Sequence, residues 1–263
     1  MSNINKILIP FDFTEPAIGA LDYALKFVGY QRSITIEAIY TSTTATSGAQ
    51  VKDAQDNFNS IVASLNHKTV VAPTLQMVQG SLTETVLQER NKEHADLIMM
   101  GTLGDTSAEE PATNTSTLVL NADCPVMTVP FGQELEPPKE IALVLGKETI
   151  EHPAVLGTLL DISRMFNAKV HVLTIYKDSI YEEAVVVEDN EETLEYYLEH
   201  FYAEHRFEKN QDIEQGILDY IAEKGIDLLA IIPRNHADKT KPSEGRLTKL
   251  LTLHSKVPVL ALD

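Results

Sequence analysis

Cysteine is almost missing from this chain, and long apolar runs are missing altogether. Cys124 is the only cysteine among 263 residues, which excludes an intrachain disulfide and any thiolate metal cluster. No segment approaches the roughly 20 apolar residues that a membrane-spanning helix needs. Met1 to Lys6 run directly into Ile7-Leu8-Ile9, without the basic region, apolar core and cleavage site of a signal peptide. The expectation is a protein that is neither exported nor inserted in a membrane and that sits in a reducing cytoplasm. Basic residues are scarce too: 21 Lys and Arg stand against 39 Asp and Glu, a formal net charge of −18. The imbalance is shared, with seven basic against fifteen acidic residues through Leu135 and fourteen against twenty-four afterwards. Such a surface repels a phosphate backbone, so nucleic acid is not an expected partner. The acids read as solvated helix faces that keep the protein soluble.

What the chain does have is apolar material for two cores, with 43% hydrophobic and 23% charged residues, and one pattern that occurs twice. Lys6-Ile7-Leu8-Ile9-Pro10-Phe11-Asp12 matches Glu140-Ile141-Ala142-Leu143-Val144-Leu145-Gly146, and Ile34 to Tyr40 matches Val170 to Tyr176. Ala95 to Gly101 stands beside Ile226 to Pro233, and Cys124 to Pro130 parallels Val257 to Leu262. The offsets stay near-constant: 134 for Ile7 to Ile141, 136 for Tyr40 to Tyr176, 131 for Asp96 to Asp227 and 133 for Pro125 to Pro258. Pro137 and Pro138 block helix and interior strand between the copies. They set a first repeat over 1–133 and a second over 139–263.

Each matched segment is a short, nearly continuous run of Ile, Val and Leu, which is how a strand buried on both faces reads. Helical spacing lies between them, as in Ala17 to Val28 with Leu21, Leu25 and Val28 on one stripe, and again in Ala154 to Phe166. A further helix is expected from Ser81, with Glu84 three residues on, and its second copy from about Asp212 to Lys224. Alternating strands and helices imply a doubly wound parallel α/β sheet in each half, with ligands beyond the carboxyl ends of the strands at the switch point.

With these segments in view, the chain resembles the universal stress protein family over almost its whole length, as a tandem. The cues are Ile7 to Glu15, Ala95 to Thr102 and Cys124 to Pro130, specific in that order and spacing. The resemblance implies a five-stranded parallel sheet in each repeat. It also implies pairing through the last strands, so that Val126–Val129 and Val259–Leu262 meet near a pseudo-twofold axis and make a dimer within one chain. Exchange of repeats between two chains, or a further homodimer, stays open.

Family members that bind ATP carry Gly, two residues, Gly, nine residues, then Gly with Ser or Thr. Gly101-Thr102-Leu103-Gly104 opens that pattern here, and Asn114-Thr115-Ser116 closes it with Asn in place of the third Gly. Glycines let backbone approach a phosphate, and the amides opening the next helix point the positive end of its dipole at the anion. Thr115 and Ser116 add hydroxyl donors, and Asn tolerates a left-handed position better than most residues. The resemblance gives Asp12 a role at the adenine or ribose and Ile39 a main-chain contact to the base, with Pro10, Phe11 and Met100 lining the pocket. Asp12 reads equally as a capping carboxylate before the first helix, and Ile39 and Met100 as core. Asp105, Glu109 and Glu110 oppose an anion, each costing roughly 2 kcal/mol at about 8 Å and an effective dielectric near 20. They either turn to solvent or share a magnesium ion with the phosphates.

The second repeat departs further. Gly146 stands for Asp12 and Pro233-Arg234-Asn235-His236 for Gly101 to Gly104, so no ATP is expected there in the family's way. Arg234, His236, Lys239 and Lys241 form a small basic loop, read as solvated or as an anion or acidic-partner site. The acidic run Glu182 to Glu195 precedes an aromatic stripe of Tyr196, Tyr197, Phe201 and Tyr202, read as packing on a helix. No metal-ligand spacing, Gly-x-Ser-x-Gly or Gly-Lys-Ser/Thr supports catalysis, and no catalytic residue is assigned. Three functions follow. The first is a cytoplasmic stress-response sensor or regulator that binds ATP or a related adenine nucleotide. The second is an interaction module of the same fold, without nucleotide, serving an unidentified protein partner. The third is a slow nucleotide hydrolase.

Overall fold

The computed structural model describes residues 4–30, 32–104, 113–146, 153–177, 194–233 and 245–262. In the first half, β1 (Lys6–Pro10), β2 (Thr35–Ser42), β3 (Thr74–Gln79), β4 (Leu97–Thr102) and β5 (Val126–Pro130) alternate with α1 (Glu15–Val28), α2 (Gly48–Leu65), α3 (Leu82–Glu93) and α4 (Asn114–Asn121). The second half brings β6 (Glu140–Val144), a 3-10 turn over Pro153–Leu156, α5 (Gly157–Phe166), β7 (Lys169–Tyr176) and β8 (Tyr202–Lys209). It ends with α6 (Ile213–Lys224), β9 (Leu228–Ile231), α7 (Arg246–His254) and β10 (Val259–Ala261).

The strands form one ten-stranded sheet in the order β3-β2-β1-β4-β5-β10-β9-β6-β7-β8. Each half runs parallel, and the halves join where β5 and β10 pair antiparallel, Thr128 opposite Val259 and Val126 opposite Ala261. The expected meeting of the last strands holds, and it fuses two five-stranded sheets into one. Successive side chains of a strand point to opposite faces, so Ile7 and Ile9 enter a core with α1, α2 and α5 while Leu8 enters a second core with α3, α4, α6 and α7. Both cores run through both halves, which explains why the strand segments read as unbroken apolar runs.

Matching backbone bonds confirm the duplication. Asp96 Oδ2 accepts the amides of Asn5 at 2.7 Å and Lys6 at 3.0 Å, and Asp227 Oδ2 accepts those of Lys139 at 2.8 Å and Glu140 at 3.0 Å. Across the halves, the Arg32 guanidinium takes the last carbonyls of α1 at Phe27 and Val28, each at 3.1 Å, and reaches the Met165 carbonyl of α5 at 2.8 Å. A cation at a helix carboxyl end is favoured by the dipole.

Two local expectations change. Ser81 does precede α3, but its hydroxyl donates to the Glu84 carboxylate at 2.7 Å and makes no cap bond. The aromatic stripe is not one helical face: a 3-10 turn covers Glu199–Phe201, Tyr202 opens β8, and Tyr196 is exposed while Phe201 is buried. The acidic run before it lies outside the described residues through position 193.

Candidate functional site

The carboxyl ends of β1, β2 and β4 bring Pro10, Phe11, Asp12, Ile39, Met100 and Gly101 to one edge of the sheet, at the switch between β1 and β4. Phe11 donates its amide to the Ile39 carbonyl at 2.8 Å, so the amide at position 10 would face the other way, toward β4. Pro10 has no amide to give. The β1–β4 ladder accordingly covers only Ile7 with Leu97 and Leu8 with Ile98. In the second half Val144 stands at the matching place, and the β6–β9 ladder continues over four positions to Val144 opposite Ile231. The proline unfastens the first switch point where the second stays zipped.

Beyond Pro10 the chain turns sharply. Phe13 sits in the left-handed region at φ 64°, a conformation that costs a non-glycine residue about 1–2 kcal/mol. Its ring packs against Phe11 at 5.1 Å and Tyr40 at 5.7 Å between centroids, which holds the turn. Asp12 is exposed, and its Oδ1 accepts from the Thr14 amide at 3.1 Å and from the Thr14 hydroxyl. Thr14 is the residue before α1 and makes no side-chain cap of its own, so Asp12 fastens the helix start. Its Oδ2 meets no protein donor among the described residues.

The two glycines differ in what requires them. A Cβ on Gly101 would lie 2.0 Å from the Pro16 carbonyl oxygen and 2.4 Å from its carbon. The first turn of α1 therefore rests on the Gly101 backbone, and packing alone demands glycine there. Gly104 has φ +74° and donates its amide to the Thr102 hydroxyl at 3.2 Å, and a Cβ there would approach the Leu253 carbonyl of α7 at 3.0 Å. This turn touches the second half of the chain.

Helix α4 packs beside β4 and opens with Asn114, exposed, followed by buried Thr115 and Ser116. Thr113 is its cap. The Thr113 hydroxyl accepts the Ser116 amide at 3.0 Å and the Ser116 hydroxyl accepts the Thr113 amide at 3.1 Å, a reciprocal capping box. The Ser116 hydroxyl, expected as a ligand donor, is thus engaged in capping. The backbone amides of Asn114 and Thr115 meet no acceptor among the described residues. Asp105, Glu109 and Glu110 fall outside those residues, as do Arg234, His236, Lys239 and Lys241. No group of three or more His, Cys, Asp or Glu able to hold a metal occurs among the described residues, and no described helix is long and apolar enough to cross a membrane.

Comparison with known proteins decides the family. The model of the universal stress protein family matches residues 3–130. The first half of the chain belongs to the universal stress protein family. Solved structures extend the likeness of fold across both halves. A universal stress protein from Archaeoglobus fulgidus aligns with TM-score 0.71 at 15% identity over 98% of either chain. A functionally unknown protein from Pseudomonas aeruginosa aligns with TM-score 0.64 at 13% identity over 99% of this chain and 92% of that one. The cytoplasmic domain of a prokaryotic cation chloride cotransporter gives TM-score 0.53 at 9% identity over 98% and 94%. Identities this low speak for the fold alone. Among curated proteins no sequence gives a significant match. The chain is a tandem of that fold: the strand order 3-2-1-4-5 of its first half returns in its second.

Proposed function

We propose that the first half binds ATP or a related adenine nucleotide, alone or with magnesium, beyond the carboxyl ends of β1 and β4, and that the protein acts as a cytoplasmic stress-response sensor or regulator. The observation that carries this reading is the switch point that Pro10 leaves unfastened, a feature the second half lacks. The amides of Asn114 and Thr115, which meet no acceptor among the described residues, and the left-handed turn at Gly104 support it.

A second reading, an interaction module without nucleotide, draws on different facts. Gly101 is accounted for by Pro16, Asp12 by Thr14 and Ser116 by Thr113, so three of the motif's residues have structural duties already.

Calorimetric titration with ATP, with and without magnesium, separates the two. The decisive variant is Asn114→Pro. Proline suits the first position of a helix, and Thr113 before it is already extended at φ −87° and ψ 158°. The change removes one amide donor and leaves α4 in place. Saturable binding that weakens about tenfold in the variant, the worth of one charge-assisted hydrogen bond, supports the nucleotide reading. Absence of heat from the wild-type protein at millimolar ATP overturns it in favour of the module.

A further inference from the structure

The opposite edge of the first half holds a crevice, and at the matching place in the second half a tyrosine, Tyr23, is buried. In the first half α3 ends at His94, which is left-handed and donates its amide to the Arg90 carbonyl. In the second, α6 ends at left-handed Gly225, which donates to Ile221. Arg90 is therefore the counterpart of Ile221, as Asp96 is of Asp227. Each place is closed by a helix of the other half. The final cap amide of α1 runs from Gly29 to Leu25, and that of α5 from Asn167 to Ser163, which makes Tyr23 the counterpart of Asp161.

At the second-half place, Tyr23 is fully buried among apolar neighbours. Burial first, and then the Asp227 and Glu136 carboxylates, push its phenol up beyond the ordinary tyrosine range, so the ring lies within electrostatic reach of Asp227. On the first-half side an aspartate stands where that ring would be, and a cavity of about 350 Å³ remains, lined by Arg90, Asn91, His94, Asp96, Thr158 and Asp161. That size falls in the range of small-molecule sites.

Its chemistry is of two signs. Arg90 gives Nη1 to Asn91 at 2.7 Å and approaches Asp123 at 3.5 Å, while its Nε is buried without an acceptor. That atom is shut off from solvent, but the Arg90 side chain as a whole stays partly exposed and lines the cavity, so a ligand there meets a guanidinium. Asp96 uses Oδ2 for its two amides, and Asp161 is a buried carboxylate already engaged within the chain. A bare anion would meet two carboxylates, and a bare cation would meet the guanidinium. We propose that this cavity binds a small zwitterion, a free α-amino acid in size and charge, with its carboxylate on Arg90 and its ammonium toward Asp96 and Asp161.

Calorimetric titration of the full chain with L-alanine, L-glutamine and L-lysine tests the proposal, with propionate and ethylammonium as the two separated halves of L-alanine. At least one of the amino acids binds saturably, and the half-molecules bind about tenfold or more weakly, as expected when one charged contact is lost. Arg90→Met removes binding. Asp161→Tyr, which installs the residue of the second-half place, removes it too and raises the thermal midpoint. If that variant does not fold, Arg90→Met, changed at a partly exposed side chain, still carries the test. Three results overturn the proposal: no saturable binding of any of the three amino acids, propionate or ethylammonium binding as tightly as the best of the three, or unchanged binding in Arg90→Met. ATP titration reads the other edge of the half, so the two ideas fail separately.

Discussion

The two switch points of this sheet share one strand plan and are built differently. In the first half, Pro10 stops the ladder to β4 and Gly101 lets the first turn of α1 sit directly on the strand. In the second, Val144 carries the ladder on. Strand register corrects the match of Pro233 with Gly101: Ile232 takes the place of Gly101, with a partly buried side chain in the same core, and the helix above it starts later, behind the 3-10 turn Pro153–Leu156. One substitution that trades a glycine for a bulky residue thus goes with a retreat of the neighbouring helix. A functional crevice depends as much on what the strand omits as on what the loop supplies.

The strongest way to break this comparison is to give the first half the residue of the second. Gly101→Ile forces a Cβ into the Pro16 backbone, and we expect a loss of about 3 kcal/mol in denaturant unfolding, whereas Ile232→Val costs about 1 kcal/mol. Equal losses would mean that α1 and α5 sit alike.

A smaller effect sharpens the likeness instead of the difference. Asp96→Ala and Asp227→Ala each remove the acceptor of two backbone amides, and each should cost about 2 kcal/mol. Agreement between the two in chemical denaturation supports a shared device, and a clear gap would single out one half as dependent on it.

The smallest effect belongs to one half only. His205 on β8 is held down at about 4 from the usual 6.5 by burial, and strand register, which sets Ile36 and not Ile34 against Val170, makes Leu75 on β3 its uncharged counterpart. Between those two values the unfolded ring binds a proton that the folded ring refuses, so stability falls as pH drops through that window. Unfolding midpoints measured across it should decline less steeply for His205→Leu than for the wild-type protein. Parallel curves would show that His205 contributes nothing there.

Much of the frame was legible in the residues themselves. Near-constant offsets and unbroken Ile, Val and Leu runs predicted two parallel sheets, because burial on both faces leaves no room for polar alternation. The pairing of Val126–Val129 with Val259–Leu262 followed from the resemblance. The site was legible only in part. Gly101 and Ser116 looked like ligand residues because a motif records spacing, while the Pro16 carbonyl and the Thr113 hydroxyl that engage them come from contacts that spacing does not encode. Pro10 was singled out as lining, yet its effect lies in the amide it lacks. The exchange of Tyr23 for Asp161 stayed hidden because the two lie 138 positions apart, an offset set by helix caps and not by the strand matches.

The antiparallel join of β5 and β10 leaves β3 and β8 as the two rims of the sheet. The strands that would otherwise recruit a second copy are already occupied within the chain, so polymerisation by strand addition has to begin at a rim. At one of them, β8 presents Glu204, Arg206 and Glu208 in alternation. A flat incoming strand would have to strip water from those charges, and lateral growth past ten strands is discouraged on that side.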